Sequence, residues 1–139
     1  MHVPPLEELI VEAVARSLES VGFRVFKHVK IDDVEMDIVA LEPGEQRPLV
    51  TIVEVKRKPK IKLLKQLRNR AEMADYVYAA VPYMYYSWAL EKVDPRVGIM
   101  LYFSPERVEV FRRARYLGKG VRSLKLLELL ASGTSIFNA

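Results

Sequence analysis

The stretch Ile52–Lys60, IVEVKRKPK, decides how the chain is read. Its first half is apolar, β-branched and free of Gly and Pro, the composition of a buried strand. Glu54 and Lys56 interrupt it two positions apart, and in a strand residues i and i+2 point to the same face. An acid and a base are therefore expected side by side on an otherwise apolar element. Buried charge is costly unless it is paired or bound to a metal, so the two residues call for a partner or a function.

Working upstream, Leu49–Lys56 is the third of three expected strands. EPGEQRP, Glu42–Pro48, is a turn by its Pro, Gly and charges. VEMDIVAL, Val34–Leu41, is the second strand, and a hairpin is the simplest way to join the two. FRVFKHVKI, Phe23–Ile31, alternates apolar and polar residues and is the first strand. Pro4 and Pro5 open a helix to about Val21. Leu6, Leu9, Ile10, Ala13, Val14, Ser17 and Val21 form its apolar stripe, and Gly22 ends it. Downstream, Pro59 breaks the chain. Ile61 to about Ala74 then reads as a helix, with Ile61, Leu64, Leu67 and Ala71 in register. Tyr76–Val81 is a central strand, and Met84–Lys92 a short helix. Val97–Phe103 and Arg107–Phe111 form a hairpin across SPE, and Ser123 caps a last helix to about Leu130.

The order is αβββαβ followed by αββα. It predicts an α/β protein, a mixed β-sheet flanked by helices, with one parallel crossover after the third strand. A chain of 139 residues suggests a single domain, 1–139. Its core spans about 5–82 and its C-terminal extension about 83–139.

Composition narrows the chemistry. Hydrophobic residues make up 50% of the chain, which argues against disorder. No signal peptide or membrane span is recognisable, so a soluble, cytoplasmic protein without a membrane partner is expected. The absence of cysteine excludes disulfides and thiolate metal sites. With two histidines, His2 and His28, a histidine-rich zinc site is not expected. A metal would need oxygen ligands, which points to Mg2+ or Mn2+. The net charge of +4 suits a polyanionic partner. Few Asn and Gln among many charges fit a thermophile.

Asp37 lies in the middle of VEMDIVAL. Across the expected hairpin it approaches Glu54, so Asp37, Glu54 and Lys56 converge. Two carboxylates in one place repel unless a cation joins them. Mg2+ takes one or two protein carboxylates, keeps several waters and binds substrate phosphate. It polarises a phosphoryl oxygen and lowers the pKa of its water, while a lysine beside it offsets developing negative charge. These are the parts needed to hydrolyse a phosphodiester.

The pattern resembles the PD-(D/E)XK nuclease superfamily. Asp37, followed by Glu54-Val55-Lys56 as the E-x-K element in an αβββαβ order, carries the likeness. EMDIVA and VTIVEVKRK look like its restriction-endonuclease-like and Holliday-junction-resolvase-like branches, and Met36 stands where the family name has Pro. The resemblance implies a restriction-endonuclease-like fold and an Mg2+- or Mn2+-dependent DNA (endo)nuclease of repair, recombination or defence. It implies metal ligation by Asp37, Glu54 and the Val55 carbonyl, with Lys56 as catalytic lysine. It further suggests Gln66, on the helix after the E-x-K strand, as a supporting catalytic group or else a solvated helix residue. Members often add a glutamate from the first helix. Glu7 is the candidate, one turn before the usual position, where Val11 stands; its alternative role is favourable charge at a helix N-terminus. By the helical wheel, Glu8 and Glu12 face away, and Glu35 reads as a surface charge.

A first basic run, Lys56, Arg57, Lys58, Lys60, Lys62, Lys65, Arg68 and Arg70, lies beside the expected site. It is expected to form a track for DNA phosphates, with Arg57, Lys58, Lys60, Lys62 and Arg68 as its binding residues. A second basic run is Arg112, Arg113, Arg115, Lys119, Arg122 and Lys125. Tyr83, Tyr85, Tyr86 and Trp88 form an aromatic group for which core packing or a homodimer interface is expected before base stacking. The alternatives to a nuclease are a non-catalytic nucleic-acid-binding module on the same scaffold and a structural subunit of a repair or defence assembly.

Overall fold

A computed structural model describes residues 6–31 and 33–138, with side chains as far as Leu129. The expected helix start at Pro4-Pro5 lies outside the described residues. Helix α1 (Leu6–Ser20) leads into β1 (Arg24–Ile31), β2 (Val34–Glu42) and β3 (Leu49–Val55). Next come α2 (Ile61–Ala71), β4 (Tyr76–Pro82), a 3-10 turn at Tyr83–Tyr85 and α3 (Tyr86–Lys92). The chain then runs through β5 (Gly98–Ser104) and β6 (Arg107–Arg112) to α4 (Val121–Asn138).

The six strands lie in the sheet in chain order. β1–β2, β2–β3 and β5–β6 are antiparallel, whereas β3–β4 and β4–β5 are parallel. The mixed α/β architecture expected from the sequence is therefore present. There are two parallel connections where one was expected, because α3 as well as α2 carries the chain back across the sheet. As a result the ends of β1, β3, β4 and β5 meet the starts of β2 and β6 along one edge of the sheet.

Two apolar layers hold the sheet. One face packs Ile10, Val11, Val14 and Leu18 of α1 against Ile38, Ala40, Val53 and Val55. The other buries Val39, Ile52, Val77 and Ile99 under Leu63 and Leu67 of α2, Ala89 of α3, and Leu124 and Leu127 of α4. The buried stripe of α1 is rotated from the expected one. Val11, Ala15 and Leu18 are buried, while Leu6 is 38% and Val21 71% exposed, because the helix ends at Ser20 and Val21 already belongs to the turn. Gly22 closes that turn at φ +101°, a conformation that L side chains resist. On α2 the sheet is met by Leu63, Leu67, Arg70 and Ala71, and Ile61 is 76% exposed. Ser123 is not the cap of α4. It lies in the first turn, because the helix begins at Val121.

Candidate active site at the splayed ends of β2 and β3

The ladder between β2 and β3 pairs Ile38 with Val53 and goes no further in the direction of Asp37 and Glu54. On its other side Asp37 is also passed over. Lys27 pairs with Ile38 and Val29 with Met36, but His28 and Asp37 between them do not pair. His28 has φ +53°, a left-handed conformation that a histidine seldom adopts inside a strand. Asp37 thus sits where the sheet opens on both flanks, and its backbone groups need other partners.

The two carboxylates supply them reciprocally. Glu54 Oε1 accepts the Asp37 amide at 3.0 Å, and Asp37 Oδ2 accepts the Val55 amide at 2.7 Å. The expected approach of Asp37 and Glu54 is therefore present, as a pair of side-chain clasps across splayed strands. Burial raises the Asp37 pKa; the Val55 amide and the charge of Lys56 oppose that rise, and Glu7 adds to it. The Glu54 pKa is likewise raised, first by burial; the Asp37 amide and Arg70 oppose that rise, and the Asp37 charge adds to it.

Glu54 and Lys56 do not share a partner, contrary to the same-face expectation. Glu54 turns toward α2, where Arg70 holds its Oε2 with Nε at 3.0 Å and Nη2 at 2.8 Å. Lys56 lies just past the end of β3, its amide still donating to the Ala80 carbonyl of β4 at 3.0 Å. Its Nζ approaches Glu7 Oε1 of α1 at 3.9 Å. Glu7 therefore reaches the neighbourhood through Lys56. Glu8 and Glu12, expected to face away, are clasped to β1: Glu8 meets His28 Nε2 at 3.0 Å and Glu12 meets Lys27 Nζ at 2.7 Å. Among the described residues no three His, Asp or Glu side chains converge as a metal cluster.

Gln66 lies one turn before Arg70, and its Oε1 is buried without a hydrogen-bond partner. A buried amide oxygen left unpaired is rare. Glu35 is exposed, as expected, and its carbonyl accepts Arg70 Nη2 at 3.2 Å. Arg57, Lys58, Lys60, Lys62 and Arg68 are all exposed. In the second basic run, Arg112 spends its guanidinium on the carbonyls of Val93, Asp94 and Val97. Of the aromatics, Tyr85 and Trp88 pack on the core. Tyr83 stacks on Phe103 at 5.0 Å, with both Tyr83 and Tyr86 about half exposed.

Arg70, expected in the basic track, is instead buried against Glu54, and sequence reasoning missed both that role and His28. A signal for Arg70 existed: it stands three residues after Leu67, at a position of the helix where an apolar residue would be expected. His28 carries no such signal, because its role rests on a backbone kink.

No family model and no curated protein matches the chain. Its fold is similar to that of SPO1766, a protein of unknown function from Silicibacter pomeroyi. The TM-score is 0.75 at 18% identity, with 97% of this chain and 89% of that one covered. At that identity the likeness concerns the fold alone. No described helix is long and apolar enough to cross a membrane.

Proposed function

We propose that the chain is a metal-dependent nuclease that hydrolyses DNA phosphodiester bonds, with its site at Asp37, Glu54 and Lys56. The observation that carries this reading is the reciprocal clasp at the opened strand ends. Two hard oxygen donors stand on adjacent strands, beside a lysine, at the edge of the sheet where the strands part. Such donors suit Mg2+ or Mn2+, which need one or two carboxylates and retain water. Asp37 Oδ1 accepts no hydrogen bond among the described residues, so it offers a lone pair to an ion. The resemblance assigns Glu54 and the Val55 carbonyl as the other donors.

When bound, the ion would polarise a phosphoryl oxygen and acidify its water. The chain's own residues do the rest. Asp37 is held in place by the Val55 amide. Lys56, close enough to Asp37 to favour its charged form, is placed to balance charge that develops on the phosphate. Gln66 Oε1 is unpaired and buried on α2, so Gln66 would support the site from within the fold rather than touch the DNA. Exposed Arg57, Lys58, Lys60, Lys62 and Arg68 extend positive charge from the site and would seat the DNA backbone.

A second reading, a non-catalytic DNA-binding or structural subunit, is favoured by one observation. Glu54 already has a cation, Arg70, and needs no metal for neutrality. A panel of linear, branched and single-stranded DNA, incubated with Mg2+ or Mn2+, separates the readings. Cleavage by the wild type and none by Asp37→Asn supports the nuclease. Binding without cleavage of any substrate supports the second reading.

A further inference from the structure

Glu54 is 2% and Arg70 6% exposed, and the nitrogens of the guanidinium are spoken for. Nε and Nη2 hold Glu54 Oε2, Nη1 donates to Asn69 Oδ1 at 2.8 Å, and Nη2 also reaches the Glu35 carbonyl at 3.2 Å. α2 and β2 together therefore fix this cation against Glu54. The other Glu54 oxygen is engaged by the Asp37 amide. A guanidinium so placed delivers to Glu54 the positive charge that a divalent ion would deliver. Withdrawing it would strand two charges in a dry interior, where an unpaired ion is strongly disfavoured. Asp37 is placed differently. It has no ion-pair partner within 4.0 Å among the described residues, and one of its oxygens is unclaimed.

We propose that Arg70 is the permanent counter-cation of Glu54. The site then takes a single divalent ion, seated on Asp37, and Glu54 acts as a positioning residue that holds the Asp37 backbone rather than as a ligand. This inference rests on the metal-dependent reading above and narrows it, because the resemblance would make Glu54 a ligand.

The test uses the folded wild-type protein, labelled with 15N, titrated with Mg2+ alone and without DNA. Arginine Nε–H and backbone amide resonances are followed together with their exchange with water. The expected result is that the Val55 amide shifts with Mg2+, because its acceptor Asp37 receives the ion. Over the same titration the Arg70 Nε–H stays in place and protected. By calorimetry, Asp37→Asn should weaken the Mg2+ affinity about tenfold or more, the scale of one charge-assisted interaction.

Loss of protection at Arg70 Nε–H as Mg2+ saturates would overturn the inference, since Glu54 would then be exchanging its guanidinium for the ion. The nuclease reading would survive that result. Unchanged Mg2+ affinity in Asp37→Asn would overturn the inference by placing the ion elsewhere. If neither resonance responds even when a non-cleavable phosphorothioate duplex is added, the site takes no ion, and both readings would fall.

Discussion

Lys56 Nζ is 3.9 Å from Glu7 Oε1, and both side chains are partly in water, at 30% and 42% exposure. Such a pair adds little to stability. Since Arg70 rather than Lys56 neutralises Glu54, Lys56→Ala should leave the unfolding free energy within about 0.5 kcal/mol of the wild type. If Lys56 acts on the transition state, the same variant should lose cleavage by on the order of a hundredfold while keeping DNA affinity. Thermal melts, a binding isotherm and a cleavage time course on one preparation check all three. A substantial loss of stability would make Lys56 structural. Arg70→Ala should behave in the opposite way. It leaves Glu54 buried and unpaired, so the fold should lose roughly 3–5 kcal/mol in urea melts. Replacing the pair together, as Arg70→Met with Glu54→Leu, should recover much of that loss, because a buried ion pair is often replaceable by apolar residues of similar volume. Asp37, Glu54 and Lys56 were legible because their types and spacing are unusual on an apolar strand. Arg70 was overlooked because a basic residue on a helix ordinarily faces solvent, although its spacing from Leu67 puts it on the buried face of α2.

The elements were mostly legible, since hydrophobic periodicity and the punctuation by Pro59, Gly22 and the Glu42–Pro48 turn survive any packing. What the sequence did not disclose is how elements are pinned to one another. Asp75, just before β4, shows this. It is fully buried, and its carboxylate takes Arg47 Nη1 at 2.8 Å and Nη2 at 2.7 Å, the Val50 amide at 2.8 Å and the Gly120 amide at 3.2 Å. Its backbone carbonyl accepts the Leu117 amide at 2.7 Å. One side chain thus ties the turn before β3 to the segment that leads into α4. Gly120 must be glycine, because the Asp75 carboxylate fills the space a Cβ would need. Burial pushes the Asp75 pKa up, but the Arg47 guanidinium and the two amides outweigh it and hold the pKa below the ordinary 3.8. A carboxyl whose folded pKa is depressed stabilises above its unfolded pKa, and that stability is lost as pH falls through the folded value. Asp75→Asn should therefore destabilise the protein at pH 7 by roughly 1.5–3 kcal/mol, since the Arg47 it leaves is partly exposed. It should also flatten the loss of stability below pH 3.8. Urea midpoints for both proteins at neutral and acid pH check this, and parallel acid limbs would show that Asp75 is not the group responsible.

The molecule as a whole carries a net charge of +4, and its distribution matters more than its size. Three of the four acids of α1 are engaged with β1 and the end of β3: Glu12 with Lys27, Glu8 with His28, Glu7 with Lys56. By contrast Arg57, Lys58, Lys60, Lys62 and Arg68, on the loop after β3 and on α2, are exposed and make no ion pair among the described residues. Positive charge is therefore unspent on the side of the site where the chain leaves β3. A DNA duplex laid there would release counterions as these side chains met phosphates, which makes binding salt-dependent and indifferent to sequence. Neutralising Lys58, Lys60, Lys62 and Arg68 to Gln should lower the slope of log affinity against log salt. The fall should be about 0.9 on duplex, and about 0.7 on single strands, for each phosphate that is no longer neutralised. The same variant should keep its thermal midpoint, since exposed, unpaired side chains add little to the fold. Its Mg2+ titration should also match the wild type, because none of the four touches Asp37. Fluorescence anisotropy on one duplex and one single strand, each across a salt series, reads the slopes directly. An unchanged slope with an intact fold would move the DNA off this track. Exposed residues of the second basic run, Arg113, Arg115, Lys119 and Lys125 among them, would then be next to neutralise.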